Sequence, residues 1–129
     1  MIVDDDDILL PVLRACLARS SNAEIVCFNN STDAWTAFEA APETFQFVIT
    51  DLEIPDMNGL ELHRRMRALS PDLQALLITG NKTFTVAAAT KAGFCGMLHK
   101  PFPLAALQTT LSSIVPETFL KPSAAFTAA

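Results

Sequence analysis

The stretch Val48-Ile49-Thr50-Asp51-Leu52-Glu53-Ile54-Pro55-Asp56-Met57-Asn58-Gly59 contains the unit from which the whole chain is built. The apolar run from Phe45 to Thr50 has the pattern of a strand buried on both faces, and it stops on a carboxylate, Asp51. Pro55 and Gly59 shape the loop that follows. Asn58 and Glu61 then stand three apart as a cap pair ahead of Leu62, Met66 and Leu69, an apolar stripe at helical spacing. The unit is a buried strand, a polar rim and a helix.

Outward from this centre the unit repeats. Met1-Ile2-Val3, Glu24 to Phe28, Leu73 to Thr79 and Cys95 to His99 are four further apolar runs, for five strands in all. Leu9, Leu13, Cys16 and Leu17 share one helical face, with Pro11 tolerated only in the first turn. A second helix is expected from Ser31, as N-cap, to Ala41, with Trp35 and Phe38 inward. A fourth, Ala-rich helix runs from Thr83 to Ala92 and ends at Gly93. A fifth begins near Pro103 and carries Leu104, Leu107, Leu111 and Ile114. Strict alternation of this kind predicts an α/β fold: a doubly wound parallel sheet with right-handed crossovers and helices on both faces. The pattern fills residues 1–115; from Pro116 to Ala129 it gives way to Pro and an Ala/Thr-rich end, read as a tail or linker stump.

Composition narrows the class. A chain of 129 residues, half of them apolar, holds one ordinary domain and one core. Nine Lys and Arg face fourteen Asp and Glu, a net charge of −5, but four of the acids are the consecutive Asp4 to Asp7. The rest is nearly balanced and has no basic stripe, which argues against direct nucleic-acid contact. Cys16, Cys27 and Cys95 are odd in number and lack metal-ligand spacing, so buried free thiols in a cytoplasmic protein are expected. No apolar run reaches the length of a membrane span.

In an open parallel sheet ligands bind beyond the carboxyl ends of the strands, and here those ends are reactive. Strand one ends in Asp4 and Asp5, strand three in Asp51, strand four in Thr79 and strand five in Lys100, while the second ends in the uncharged Asn29 and Asn30. Singly, each has a plain reading as a turn, cap or surface residue. Together, three carboxylates at one rim repel one another unless a cation sits among them, and oxygen donors suit a hard divalent ion such as Mg²⁺. One carboxylate is then left as a nucleophile, faced by an ammonium and a hydroxyl that suit an incoming phosphoryl group.

Ile2-Val3-Asp4-Asp5, Val48 to Gly59, Leu77-Ile78-Thr79-Gly80 and Leu98-His99-Lys100-Pro101-Phe102 occur in an order and spacing that resemble the receiver domains of two-component response regulators. The resemblance covers roughly residues 1–115. It implies a flavodoxin-like sheet of order 2-1-3-4-5 with five helices, and a phosphorylatable switch acting on its α4-β5-α5 surface. By the same resemblance Asp51 is the phosphoacceptor; Asp5, Asp51 and the Glu53 backbone carbonyl hold Mg²⁺, with Asp4 acting through water. Lys100 pairs with phosphoryl oxygens, Thr79 moves toward them, and the Lys100-Pro101 bond is cis. The implied partner is a histidine kinase or phosphotransfer protein, with a homodimer left open, and the only catalysis is the domain's own phosphorylation and dephosphorylation.

The sequence departs from the family at several points. Met97 stands where such domains carry a Tyr or Phe that switches with the Thr; it is either a thioether switch or a core filler. Glu53 and Asn81 occupy positions that modulate phosphoryl lifetime in the family. Only three residues precede Asp4, so the first strand is either trimmed or begins late. His63 reads as a boundary residue of the Leu62 and Met66 face, and His99 as an interface residue pointing away from Asp51. Two other functions compete. A small Mg²⁺-dependent phosphatase with an aspartyl nucleophile wants an Asp two residues beyond Asp51, where Glu53 stands, and room for a cap domain. A protein-binding module working without phosphate would leave the acids unused; a flavin site is disfavoured because Asp4 to Asp7 occupy the place of a phosphate loop.

Overall fold

A computed structural model describes residues 1–114. The expected tail 116–129, and the inward side chain expected of Ile114, lie outside the described residues. The strands are β1 (Ile2–Val3), β2 (Cys27–Phe28), β3 (Phe47–Asp51), β4 (Gln74–Thr79) and β5 (Gly96–His99). The helices are α1 (Leu9–Ser20), α2 (Ser31–Ala40), α3 (Gly59–Leu69), α4 (Val86–Lys91) and α5 (Leu104–Ile114), with a 3₁₀ turn at Pro42–Thr44. All five strands are parallel in the order β2-β1-β3-β4-β5. Although short, β1 is no edge: Ile2 registers with Cys27 on one side and Ile49 on the other, and the Met1 carbonyl accepts from Ile49 N at 2.9 Å. β2 and β5 are the edges, and the run from Glu24 keeps only two ladder residues in β2, both half-buried.

The period-two alternation of the strands sorts the apolar side chains onto two faces. Val3, Val48 and Leu77 point into a core closed by Ala34 and Phe38 of α2, Leu62 and Met66 of α3, and Ala89 of α4. Ile2, Ile49, Leu76 and Ile78 point the other way, onto Leu13 and Leu17 of α1 and Leu107 and Leu111 of α5. Each fully buried Leu or Ile stabilises the fold by roughly 2 kcal/mol, so the two-faced sheet carries most of the folding energy.

Several local expectations change. Asn30, not Ser31, caps α2: its Oδ1 accepts from Asp33 N at 2.8 Å. Ser31 becomes the first helical residue, its hydroxyl donating to the Pro55 carbonyl (2.7 Å) and accepting from Met57 N (2.7 Å), which clamps the loop after β3. Trp35 is only half-buried, whereas Phe38 is fully inward. At α3, Asn58 Oδ1 accepts from Glu61 N (2.9 Å), but the Glu61 carboxylate turns outward to Arg64 and Arg65 instead of closing a reciprocal box. Leu69 and Leu104, at the helix ends, are exposed. α4 starts at Val86, capped by Thr85 Oγ1 on Ala88 N (3.0 Å), because Thr83 is drawn into a turn on Asn81 Oδ1. Gly93 follows α4 at φ 97°, a conformation suited to glycine. Of the cysteines only Cys16 is buried; Cys27 is half-buried and Cys95 exposed, all three free. His63 is no boundary residue: it is 1% exposed, with its ring stacked on Phe94 at 4.0 Å. No helix among the described residues is long and apolar enough to cross a membrane.

Candidate functional site

The carboxyl ends of β1, β3, β4 and β5 meet at one rim because the inner strands are parallel and in register there: Val3 pairs with Thr50, Asp51 with Ile78, and Thr79 with His99. Asp51 and Thr79 are the last residues of β3 and β4, and Asp4 and Lys100 directly follow β1 and β5. Asp4 is fully buried, Asp51 6% exposed, and Asp5 exposed. One carboxylate oxygen from each of the three lies within 4.8 Å of the others.

Lys100 reaches across to this group. Its Nζ stands 2.8 Å from Asp51 Oδ2 and 3.0 Å from Asp4 Oδ2, so a single ammonium bridges the two buried carboxylates. Lys100 N also donates to the Thr79 carbonyl at 2.7 Å, and the Lys100-Pro101 bond is cis. Burial pushes the Asp4 carboxyl above its ordinary value and the charge on Asp51 adds to this, while the Asp6 amide and Lys100 oppose. For Lys100 burial alone would favour the neutral amine, but its hydrogen bonds to Asp51 and Asp4 outweigh that and hold the ammonium above the usual lysine range.

Asp4 Oδ2 is buried and, although within ion-pair distance of Lys100, makes no hydrogen bond of proper geometry. An all-oxygen donor set with one such lone oxygen and one exposed carboxylate, Asp5, fits a hard divalent cation that keeps part of its water shell. Asp6 stays out of the group, its Oδ1 accepting from Ile8 N (2.9 Å) and Leu9 N (3.1 Å) at the start of α1. Asp7 is simply exposed.

Two glycines border the loops around Asp51. A Cβ added to Gly80, the residue after Thr79, would meet nothing within 4 Å, so there is open space at that position. Gly59 is the opposite case: a Cβ there would collide with the Asp51 carbonyl oxygen, and Gly59 N donates to the Leu52 carbonyl at 2.8 Å. Between them, Glu53 is exposed with its amide on Asp51 Oδ1 (3.3 Å), and Asp56, at φ 83°, accepts from Thr32 Oγ1 (2.6 Å). Thr79 is buried and its hydroxyl accepts from Asn81 N (2.9 Å), so it serves its own loop. Met97 is half-buried against the α2-α3-α4 core. His99 is half-buried, and its Nε2 lies 2.9 Å from the Phe84 carbonyl within the same domain.

Sequence reasoning placed Asp4, Asp5, Asp51, Thr79 and Lys100 at one rim, and they are there. It missed the two clamps of the loop after Asp51, Ser31 on Pro55 and Met57 and Thr32 on Asp56. Both join residues about two dozen positions apart, for which no local signal exists.

The model of the response regulator receiver domain matches residues 1–112. The DNA-binding transcriptional regulator NtrC of Azospirillum brasilense is 32% identical over 105 residues, covering 81% of this chain but 21% of that protein's length. The chemotaxis protein CheY1 of Helicobacter pylori is 29% identical over 119 residues, 89% of this chain and 94% of that protein. Among solved structures, a CheY-like receiver domain protein from Methanospirillum hungatei superposes with a TM-score of 0.76 at 24% identity, over 87% of this chain and 88% of that one. The CheX-CheY-BeF3-Mg complex of Borrelia burgdorferi gives 0.78 at 18% identity, over 87% of this chain and 84% of that one. These likenesses speak to the fold alone.

Proposed function

The chain belongs to the response regulator receiver domain family, and on that premise we propose that it is a phosphorylatable switch whose Asp51 accepts a phosphoryl group from a histidine kinase or phosphotransfer protein, with Mg²⁺. The observation that supports this best is the Lys100 ammonium already placed between Asp51 and Asp4. A carboxylate is a weak nucleophile toward a phosphoryl group mainly because both are anions, and a cation at bonding distance removes that obstacle.

In the transfer, an Asp51 oxygen forms the new P–O bond as the donor's P–N bond breaks, and the departing imidazole takes up a proton from water. Asp51 is oriented by the Glu53 amide and by the β3 ladder. Lys100 follows the charge, exchanging its bond to the carboxylate for one to a phosphoryl oxygen. Asp5, Asp51 and the Glu53 carbonyl would hold Mg²⁺, with Asp4 through water, and the ion supplies neutralisation of the phosphoryl oxygens. Thr79 turns its hydroxyl from Asn81 toward the new charge, and the α4-β5-α5 surface responds. The domain catalyses only its own phosphorylation and dephosphorylation, and its place is the cytoplasm.

The test is intact mass after incubation with acetyl phosphate, with and without Mg²⁺, for the wild type and Asp51→Asn. One phosphoryl adduct that needs both Mg²⁺ and Asp51 is expected. An adduct retained by Asp51→Asn, or none with any phosphodonor, refutes the proposal.

A further inference from the structure

The ring on β5 is His99, at the strand's last position. Alternation places His99 on the same face of β5 as Met97, over the loop between β4 and α4. That loop is a continuous series of hydrogen bonds. Thr79 Oγ1 accepts from Asn81 N (2.9 Å); Asn81 Oδ1 accepts from Thr83 N (3.0 Å) and Thr83 Oγ1 (2.6 Å); the Asn81 carbonyl accepts from Phe84 N (3.2 Å). The Phe84 carbonyl then meets His99 Nε2 at 2.9 Å, and the next residue, Thr85, caps α4.

A carbonyl can only accept, so His99 Nε2 is the donor, in the neutral Nε2–H form or as imidazolium. Its register partner across the ladder is Thr79 itself, which makes the circuit closed: β4, loop, β5 and back. α4 is six residues long and is held by Ala89 in the core and by the Phe94 amide on the Ala89 carbonyl (3.0 Å), so the tie from His99 to Phe84 adds an anchor on its N-terminal side. We propose that His99 is a positioning residue: its Nε2–H bond to Phe84 latches the loop in the arrangement that keeps the Thr79 hydroxyl on Asn81, and the latch must open for Thr79 to reach a phosphoryl group. Met97 is then a core filler, and the coupling runs through His99. The last step rests on the reading of Asp51 as phosphoacceptor; the latch itself does not.

The experiment compares the wild type with His99→Phe, which keeps a ring without the donor, His99→Leu, which guards against overpacking by the larger ring, and His99→Gln, whose amide restores a donor at similar reach. Hydrogen exchange of the Asn81, Phe84 and Ala88 amides is read on the unphosphorylated proteins, and the initial rate of adduct formation from acetyl phosphate with Mg²⁺ on the same samples. Losing one neutral hydrogen bond is expected to quicken exchange at these amides by about fivefold in the Phe and Leu variants, with Gln within about twofold of the wild type. Adduct formation quickens in the same variants and by a similar factor. Exchange unchanged in both the Phe and Leu variants, or a Gln variant as fast as they are, overturns the latch. Faster exchange with an unchanged rate of adduct formation overturns its coupling to Thr79. A wild type that forms no adduct at all refutes the phosphoacceptor reading instead, and the exchange data still decide the latch.

Discussion

Lowering the pH from 7.5 to 5 should cost the folded protein about 2 kcal/mol through one side chain, His63. Its imidazole is buried between α3 and Phe94, with Nε2 lacking any hydrogen-bond partner, and Arg67 stands one turn further along the helix. Burial first, and the Arg67 charge second, hold its pKa down from 6.5 to about 4. The folded pKa is thus depressed, and between the two values the unfolded chain binds a proton that the folded one refuses. Stability from this group is complete above 6.5 and is lost as the pH falls toward 4, with a limit of ~3 kcal/mol and about 2 kcal/mol gone at pH 5. Carboxylates titrate in the same range, so the assay is a difference: urea unfolding of the wild type and of His63→Phe at both pH values. Because Nε2 has no partner to lose and a phenyl ring keeps the stack on Phe94, the variant should match the wild type at pH 7.5 within ~1 kcal/mol. At pH 5 it should be the more stable by about 2 kcal/mol. Parallel pH profiles for the two proteins would show that His63 is not held neutral by burial, and the reasoning would fail.

Three further outcomes follow from the geometry. Gly59→Ala drives a methyl group into the Asp51 carbonyl oxygen, so it should destabilise by more than ~2 kcal/mol in chemical unfolding and slow acetyl phosphate labelling. Asn58→Ala should cost about 1 kcal/mol for the lost cap on Glu61 N, whereas Glu61→Ala, which removes only solvent-exposed pairs to Arg64 and Arg65, should leave the unfolding midpoint nearly unchanged by the same measurement. Lys100→Met leaves the Asp4 and Asp51 carboxylates facing each other without their cation and should destabilise by about 3 kcal/mol. Melting scans of that variant should show a larger Mg²⁺-dependent rise in Tm than the wild type; an equal response would mean that the ion does not enter between these carboxylates.

The sheet was legible because burial on both faces leaves a signature that needs no partner: Val48-Ile49 and Leu76-Leu77-Ile78 are apolar whichever way they point. The rim was legible for a related reason, since a parallel sheet brings every strand end to one edge and the residue after each run can be read directly. Asp4, Asp51, Thr79 and Lys100 were therefore found by position before any distance was known. Helix ends were less legible. Asn30 and Ser31 are both good caps by chemistry, and only the pull of Pro55 and Met57 on the Ser31 hydroxyl gives the cap to Asn30.

What tertiary structure alone decided is what depends on groups far apart in the chain. His63 is a plausible boundary residue on its own helix and becomes core only when Phe94 arrives from thirty-one positions away. Cys95 lies in an apolar run yet is exposed, because it precedes the edge strand β5. The choice of Lys100 to bridge two carboxylates, and of His99 to hold a carbonyl in the neighbouring loop, follows from the order of the strands and not from the residues beside them. Periodicity fixes which side chains are buried within an element; which buried or charged groups then meet is set by how the elements pack, and no local pattern encodes it.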